Sequence, residues 1–263
     1  TTLFRILVTL LLPDAGSASV EGLDVVKDFR KIRKIVGYMP GRFSLYQDLS
    51  VEENLKFFAS SFKTTIKENY YLIEDIYRQI EPFKHRLAGR LSGGMKQKLA
   101  LSCALIHKPQ VLFLDEPTLG LDPQTRARIW DYLRALKEEG GMTLLLTTHY
   151  MDEAEQLCDR LVIMDKGRIV AEGSPQALIN EYASREVLEL RFEDLRTPDL
   201  TGKGKDLIQR SEQLPDRILL YTDSGETLAE TLYEEGLRPV SQLVRRSSLE
   251  DVFLRLTGRR LIE

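Results

Sequence analysis

The opening run TTLFRILVTLLL is apolar on most sides and stops at Pro13-Asp14-Ala15-Gly16, a pattern that predicts a buried helix ending at Pro13. Residues 17–26, SASVEGLDVV, alternate briefly around Gly22 and read as strand and turn. KIVGYMP (34–40) is a short β-rich run closed by Pro40. From Asp48 to about His85 the period becomes helical. Ser50 with Glu53 three residues on forms a capping box, and Leu55, Phe58 and Ala59 share one face. Ile66, Tyr70, Ile73, Tyr77 and Ile80 give a second amphipathic helix over 66–80, so 48–90 reads as a helical insert. The middle then alternates: an apolar strand at 110–114, a helix at 124–139, a strand at 142–148, a helix at 151–158, a strand at 160–165 and a hairpin about Lys166-Gly167. Buried apolar strands alternating with helices indicate an α/β fold with a mostly parallel sheet.

The texture changes after about Tyr182. REVLELRF and DRILLYTD alternate like half-exposed strands, GETLAETLYEEGL and SSLEDVFLRLTG read as helices, and TPDLTGKGKD between them reads as a loop. Ser248 with Asp251 caps the second helix. Residues 183–263 therefore read as a small α+β appendage to a domain spanning 1–182.

Composition narrows the function class. The net charge is −3, so no global basic field attracts nucleic acid or anionic lipid. No apolar run approaches the roughly 20 residues a membrane span needs. A signal peptide needs a basic segment before its apolar core, whereas Arg5 lies inside the run. Cys103 and Cys158, the only two cysteines, sit among apolar neighbours and read as core thiols of a reducing compartment.

Three stretches carry chemistry. VLFLDEPTLGLD (111–122) is an apolar strand ending in two adjacent acids, Asp115 and Glu116. Ligands of α/β sheets bind at the carboxyl ends of strands, and neighbouring strand residues point to opposite sides. The acids therefore divide the work: one holds a metal through water, the other orients or deprotonates a nucleophilic water. In LSGGMKQKLALSCALIHKP (91–109), Ser92 is an N-cap and Gly93 and Gly94 bare the first-turn amides. Glycine at a helix start costs stability, a cost understandable where amides and dipole must approach an anion closely. In LLLTTHYMDEAEQLCD (144–159), His149 follows one strand of the same sheet and precedes a helix, where it can contact a phosphate or the attacking water.

LSGGMKQ, VLFLDEP, LGLD and TTH together closely resemble the nucleotide-binding domain of ATP-binding-cassette proteins over about residues 1–180. The resemblance implies a P-loop NTPase-type fold in which ATP is sandwiched between two such domains. By that match Asp115 holds Mg²⁺ through water, Glu116 polarises the attacking water and His149 senses the γ-phosphate. Ser92, Gly93 and Gly94 cap the γ-phosphate of the partner's ATP, and Asp122 bridges the two sites. TTLFRILVTLLLPDAG resembles the helix after a G-x-x-x-x-G-K-[ST] phosphate cradle, which carries Mg²⁺ ligation to Thr1 and a phosphate contact to Thr2. The cradle's glycines and Lys have no counterpart in the sequence. Either the parent chain carries them before Thr1 and this is an ordinary ATPase, or the site holds ATP poorly.

A second departure is Gly41, which stands where the family has a Gln linking Mg²⁺ and the attacking water to the transport partner. The phrases HYMDEAEQLCDRLVIMDKGRIVAEGSP and LEDVFLRLTGR resemble exporter ATPases of the daunorubicin-resistance and nodulation lipo-oligosaccharide type. In those systems the ATPase is a separate chain, working as a dimer on the cytoplasmic face of the membrane against an integral permease, without nucleic acid. Residues 64–108 also resemble exporters with two cassettes in one chain. The alternatives are thus a catalytically impaired or regulatory cassette, or one cassette of a tandem.

Overall fold

A computed structural model describes residues 1–41, 45–192 and 203–258. By its contacts the chain divides into two compact units, residues 1–149 and 150–263.

The first unit contains α1 (Thr2–Leu7), β1 (Ser19–Val20), β2 (Leu23–Asp24), α2 (Phe29–Ile35), β3 (Val36–Met39), α3 (Val51–Ser61), α4 (Ile66–Tyr77), α5 (Gly93–Leu105), β4 (Val111–Asp115), α6 (Pro123–Gly140) and β5 (Thr143–Thr147). β1 and β2 pair antiparallel, and a three-stranded parallel sheet runs in the order β3-β4-β5. β4, the middle strand, is buried at every position, as a strand covered on both faces must be. Phe4 of α1 and Val8 just after it pack with Val36, Val111 and Phe113, and the Phe4 and Phe113 rings meet edge to face at 5.3 Å. That contact positions the site: one turn back along α1 from Phe4 is Thr1, and two residues on from Phe113 is Asp115.

The α1 region departs from its sequence pattern. The helix ends at Leu7 rather than Pro13, because Thr9 takes a left-handed φ of +65°. Arg33 of α2 fixes that turn by donating to Thr9 Oγ1 (2.8 Å) and to the Thr9 carbonyl (2.7 Å). Leu10, Leu11 and Leu12 then lie exposed instead of buried.

The helical insert follows its pattern more closely. Ser50 Oγ accepts from the Glu53 N–H (3.3 Å), and the Glu53 carboxylate accepts from the Ser50 N–H (2.8 Å). α4 has its own capping box on Thr65 and stops at Tyr77, short of Ile80. Fully buried Asn54 staples the stretch leading into α3. Its Oδ1 accepts from the Tyr46 N–H (2.9 Å), and its amide donates to the carbonyls of Tyr46 (3.0 Å), Leu49 (3.2 Å) and Ser50 (3.0 Å). Asn54→Ala takes the acceptor from the Tyr46 N–H, while the Tyr46, Leu49 and Ser50 carbonyls keep backbone donors from Leu49, Ala88 and residue 54, and is expected to cost about 2 kcal/mol. Urea unfolding checks this; an unchanged midpoint would show that the staple is idle.

The second unit contains α7 (Met151–Leu157), β6 (Leu161–Asp165), β7 (Arg168–Gly173), α8 (Pro175–Tyr182), β8 (Glu186–Arg191), β9 (Arg210–Gln213), β10 (Ile218–Thr222), α9 (Gly225–Glu234), β11 (Ser241–Arg246) and α10 (Leu249–Thr257). β6 and β7 pair through the expected hairpin, whose Lys166 and Gly167 both have positive φ, as a tight two-residue turn demands. The antiparallel sheet runs β11-β8-β10-β9. Leu188, Leu190 and Leu220 of that sheet pack with Leu228 and Leu232 of α9. The loop expected at 197–206 falls mostly outside the described residues.

α10 does not stay with the sheet. Its Leu249 and Val252 share a core with Ala154, Ile163, Ala171 and Leu178, and the Leu249 N–H donates to Glu155 Oε1 of α7 at 2.6 Å. Cys103 is buried in α5, where desolvation pushes its thiol pKa up, and Cys158 is half-buried after α7. Among the described residues no helix is long and apolar enough to cross a membrane.

Candidate functional site

Asp115 ends β4 and Thr147 ends β5, and parallel pairing sets them opposite each other. Residues in parallel register project to the same face. The Thr147 hydroxyl accordingly donates to Asp115 Oδ1 at 2.6 Å. The Thr1 nitrogen lies 3.6 Å from the same oxygen. Asp115 is 2% exposed. Burial alone would raise its pKa, but the Thr147 hydrogen bond, with Thr1 and the Gly41 N–H close by, outweighs it and holds the carboxyl below its ordinary value. An ionised carboxylate with a hydroxyl beside it is a hard-oxygen donor set that suits Mg²⁺, which takes one or two carboxylates and leaves its other positions to water and phosphate.

Glu116 breaks the strand. Its φ is +51°, in the left-handed region that costs a non-glycine residue about 1–2 kcal/mol. Its N–H donates to the Thr147 carbonyl at 3.0 Å and lies 3.3 Å from the Thr147 hydroxyl oxygen. The turn separates the two acids: Asp115 is enclosed, while the Glu116 side chain is 38% exposed. Glu116 Oε1 stands 3.6 Å from His149 Nδ1, a charge-pairing distance when the ring is protonated. Strain at a reacting position is a pointer to function when it is observed rather than assumed.

Gly41 crowds the same place from β3's side. A Cβ there would lie 3.1 Å from the Asp115 carbonyl oxygen.

The glycine-rich helix start forms a second cluster. Ser92 caps α5 by accepting from the Met95 N–H at 3.4 Å. A Cβ on Gly94 would meet Thr125 Cγ2 at 3.5 Å and Leu121 Cδ2 at 3.7 Å. Asp122 caps α6, its Oδ1 accepting from the Thr125 N–H at 2.9 Å. The Thr125 side chain and then this backbone N–H hold its carboxyl below the ordinary value. Neither glycine has a positive φ; a Cβ on Gly94 would make ordinary contact, and one on Gly93 would touch nothing within 4 Å. Neither backbone conformation nor neighbours in its own chain call for glycine at 93.

The structure thus gathers Thr1, Asp115, Glu116 and His149, and separately Ser92, Gly93, Gly94 and Asp122. Thr2 opens α1 beside Thr1. Sequence reasoning passed over Thr147, whose signal was a hydroxyl residue ending an otherwise leucine-rich strand. It also passed over the left-handed turn at Glu116, for which the residue type gives no signal.

Residues 1–119 match the family model described as ABC transporter, and residues 198–258 match the one described as nodulation factor export protein NodI, C-terminal domain. A Nod factor export ATP-binding protein I of Mesorhizobium japonicum is 39% identical over all of this chain and 76% of its own length. A probable multidrug ABC transporter ATP-binding protein of Escherichia coli, YbhF, is 40% identical over 98% of this chain and 45% of its own length. Among solved structures, an ATP-binding subunit of an ABC transporter superposes with a TM-score of 0.62 at 28% identity, covering 69% of this chain and 76% of that one.

Proposed function

The chain belongs to the ABC transporter family of ATP-binding proteins, and from that premise we propose that it energises export of a drug- or lipid-like cargo through a separate membrane permease. It is an ATP-hydrolysing cassette of the exporter type. The observation that carries the site assignment is the meeting of Thr1, Asp115, Glu116 and His149 at the carboxyl ends of two adjacent parallel strands.

In this reading residues 1–182 are the ATPase and 183–263 an accessory domain. Thr1 would ligate Mg²⁺ and Asp115 would hold it through water; when bound, the ion would neutralise phosphate charge. Thr2 contacts phosphate. Glu116 accepts a hydrogen bond from water and aims it at the γ-phosphate, and His149 donates to a γ-phosphate oxygen. Ser92, Gly93 and Gly94 address the nucleotide of a second copy, and Asp122 lies between the two sites. The vacant space at Gly93 supports that role: an approaching phosphate needs the room a side chain would take. Phosphoryl transfer is mostly positioning and charge stabilisation, so ATP between two copies draws them together and hydrolysis releases them. That cycle drives a permease from the cytoplasmic face of the membrane.

The test is phosphate release by the full-length parent chain with its permease. Mg²⁺-dependent turnover that disappears in Glu116→Gln is expected; no turnover in either protein would refute the proposal.

Gly41 yields a second expectation. It has no side chain to reach a metal or water, so Gly41→Gln is expected to raise Mg²⁺-dependent turnover. The 3.1 Å approach to the Asp115 carbonyl is close enough that the backbone must give by a few tenths of an ångström. Steady-state kinetics over a Mg²⁺ series decide it: unchanged turnover would assign the missing role to another residue.

A further inference from the structure

We infer that Thr147 is a positioning residue for both acids of the hydrolytic site, its hydroxyl setting the Asp115 carboxylate and its carbonyl anchoring Glu116, where the chain turns. The inference rests on the ATPase reading above.

A threonine in a strand needs no special reason, since β-branched residues suit pleated backbone. Its place here asks for more. Leu144, Leu145 and Leu146 precede it on β5, and valine would serve that strand's end as well as threonine. Only the hydroxyl distinguishes them, and that hydroxyl is engaged on both sides. It donates to Asp115 Oδ1 at 2.6 Å and lies 3.3 Å from the Glu116 N–H nitrogen. The carbonyl of the same residue takes the Glu116 N–H at 3.0 Å.

These contacts do different work. Asp115 is enclosed, and its carboxylate can rotate about the side-chain bond. A short hydrogen bond to Oδ1 fixes that rotation and with it the direction of the remaining lone pairs. Removing a partner that orients a metal-binding carboxylate typically costs roughly 10–100-fold in metal affinity or activity. Glu116 sits at φ +51°, a conformation the chain does not hold unaided. The bond from the Glu116 N–H to the Thr147 carbonyl carries the parallel pairing one residue past Asp115 and so anchors the residue at which the chain turns. The chain then runs through Thr148 to His149, whose Nδ1 is 3.6 Å from Glu116. The end of one strand therefore sets two acids by hydrogen bonds and one imidazole by covalent connection.

The carbonyl contact survives any substitution, but the hydroxyl contact does not. Thr147→Val keeps the branched shape, Thr147→Ala removes the same hydroxyl with less demand on the strand, and Thr147→Ser keeps the hydroxyl. The readouts, in the full-length parent chain, are Mn²⁺ binding in the presence of ATP, followed by electron paramagnetic resonance, and ATP turnover. Asp115→Asn is the reference. Thr147→Val and Thr147→Ala are each expected to weaken Mn²⁺ binding and turnover roughly 10-fold or more, within the range known for residues that orient metal ligands. Thr147→Ser is expected to restore both, and thermal unfolding to match wild type. Wild-type Mn²⁺ affinity in Val and Ala variants, with Asp115→Asn weakened, overturns the inference alone. So does a Ser variant as weak as Val. Wild-type affinity in Asp115→Asn overturns the ATPase reading of this site as well.

Discussion

Glu116→Gln is expected to lower ATP turnover by about 10²–10⁴-fold, the range for losing a positioned group that accepts a proton from the nucleophile, while ATP still binds. At 1.36 kcal/mol per tenfold, that is about 2.7–5.4 kcal/mol of transition-state stabilisation. The substitution preserves shape. The strained turn is held by backbone atoms of residues 116 and 147, which the change does not touch. The carboxylate charge facing His149 disappears, and with it the acceptor that holds a water for attack. Asp115 keeps its hydrogen bond from Thr147 and its neighbour Thr1, so nucleotide with its metal stays. Binding without release should leave two copies held together by ATP. The measurement pairs phosphate release with light scattering of the full-length parent chain. Wild-type turnover in the variant would remove Glu116 from its assigned role. Loss of nucleotide binding together with turnover would show that Glu116 belongs to the binding set.

How much of this was legible beforehand follows from which residues carry local signals. The alternation of β4, α6, β5 and α7 was legible because each apolar run has one period and a clear stop. The capping boxes at Ser50 and Ser248 were legible because both partners lie within one turn. The acid pair, the His and the glycine-rich helix start were legible as motifs. What was not legible depends on partners distant in sequence. α1 stops early because Arg33, 24 residues away, holds Thr9 in a left-handed turn. Thr147 matters because it lies opposite Asp115 across a parallel pairing, 32 residues away. β9 and β11 escaped because RSEQ and SQLVRR lack a buried face of their own. They become strands by pairing with β10 and β8, which have one. The return of α10 to α7 is likewise a tertiary fact, although its amphipathic helix was plain in the sequence.

The charge cluster beneath the second unit's sheet gives the largest expected stability effect. Arg245 of β11 donates to both Asp251 oxygens, at 2.7 and 3.0 Å, and to Glu189 Oε1 at 2.5 Å. Asp251 is 1% exposed and also accepts from the Tyr221 hydroxyl (3.2 Å) and the Ser248 N–H (2.8 Å). The guanidinium thus joins β11, β8 and the cap of α10. Its partners raise the Arg245 pKa despite the opposing effect of burial. A buried pair of this kind adds little over an apolar substitute, but removing one member leaves a charge without compensation, typically at about 3–5 kcal/mol. Arg245→Ala is expected at about 3 kcal/mol, near the low end of that range, because Arg217 still reaches Glu189 (3.1 Å) and Asp251 keeps its neutral donors. The exposed Arg246→Ala should stay within about 0.5 kcal/mol.

Acid should separate the two further. Burial raises the Glu189 pKa, but Arg245 and Arg217 lower it more, so the folded value lies below the unfolded one. Stability from Glu189 is therefore complete above the unfolded carboxylate value near pH 4.3 and is lost as pH falls through the lower folded value. Without Arg245 the folded value rises, and the loss begins at higher pH. Hydrogen exchange at the amides of β8 and β11 reads the effect where it arises. The single tryptophan, Trp130 in α6, belongs to the other unit and serves as an internal reference by fluorescence. A fall in β8 and β11 protection with Trp130 little changed is the expected outcome. Protection reduced by less than about 1 kcal/mol would mean that the cluster behaves as a solvent-screened surface pair, and would refute its role as the tie between sheet and α10.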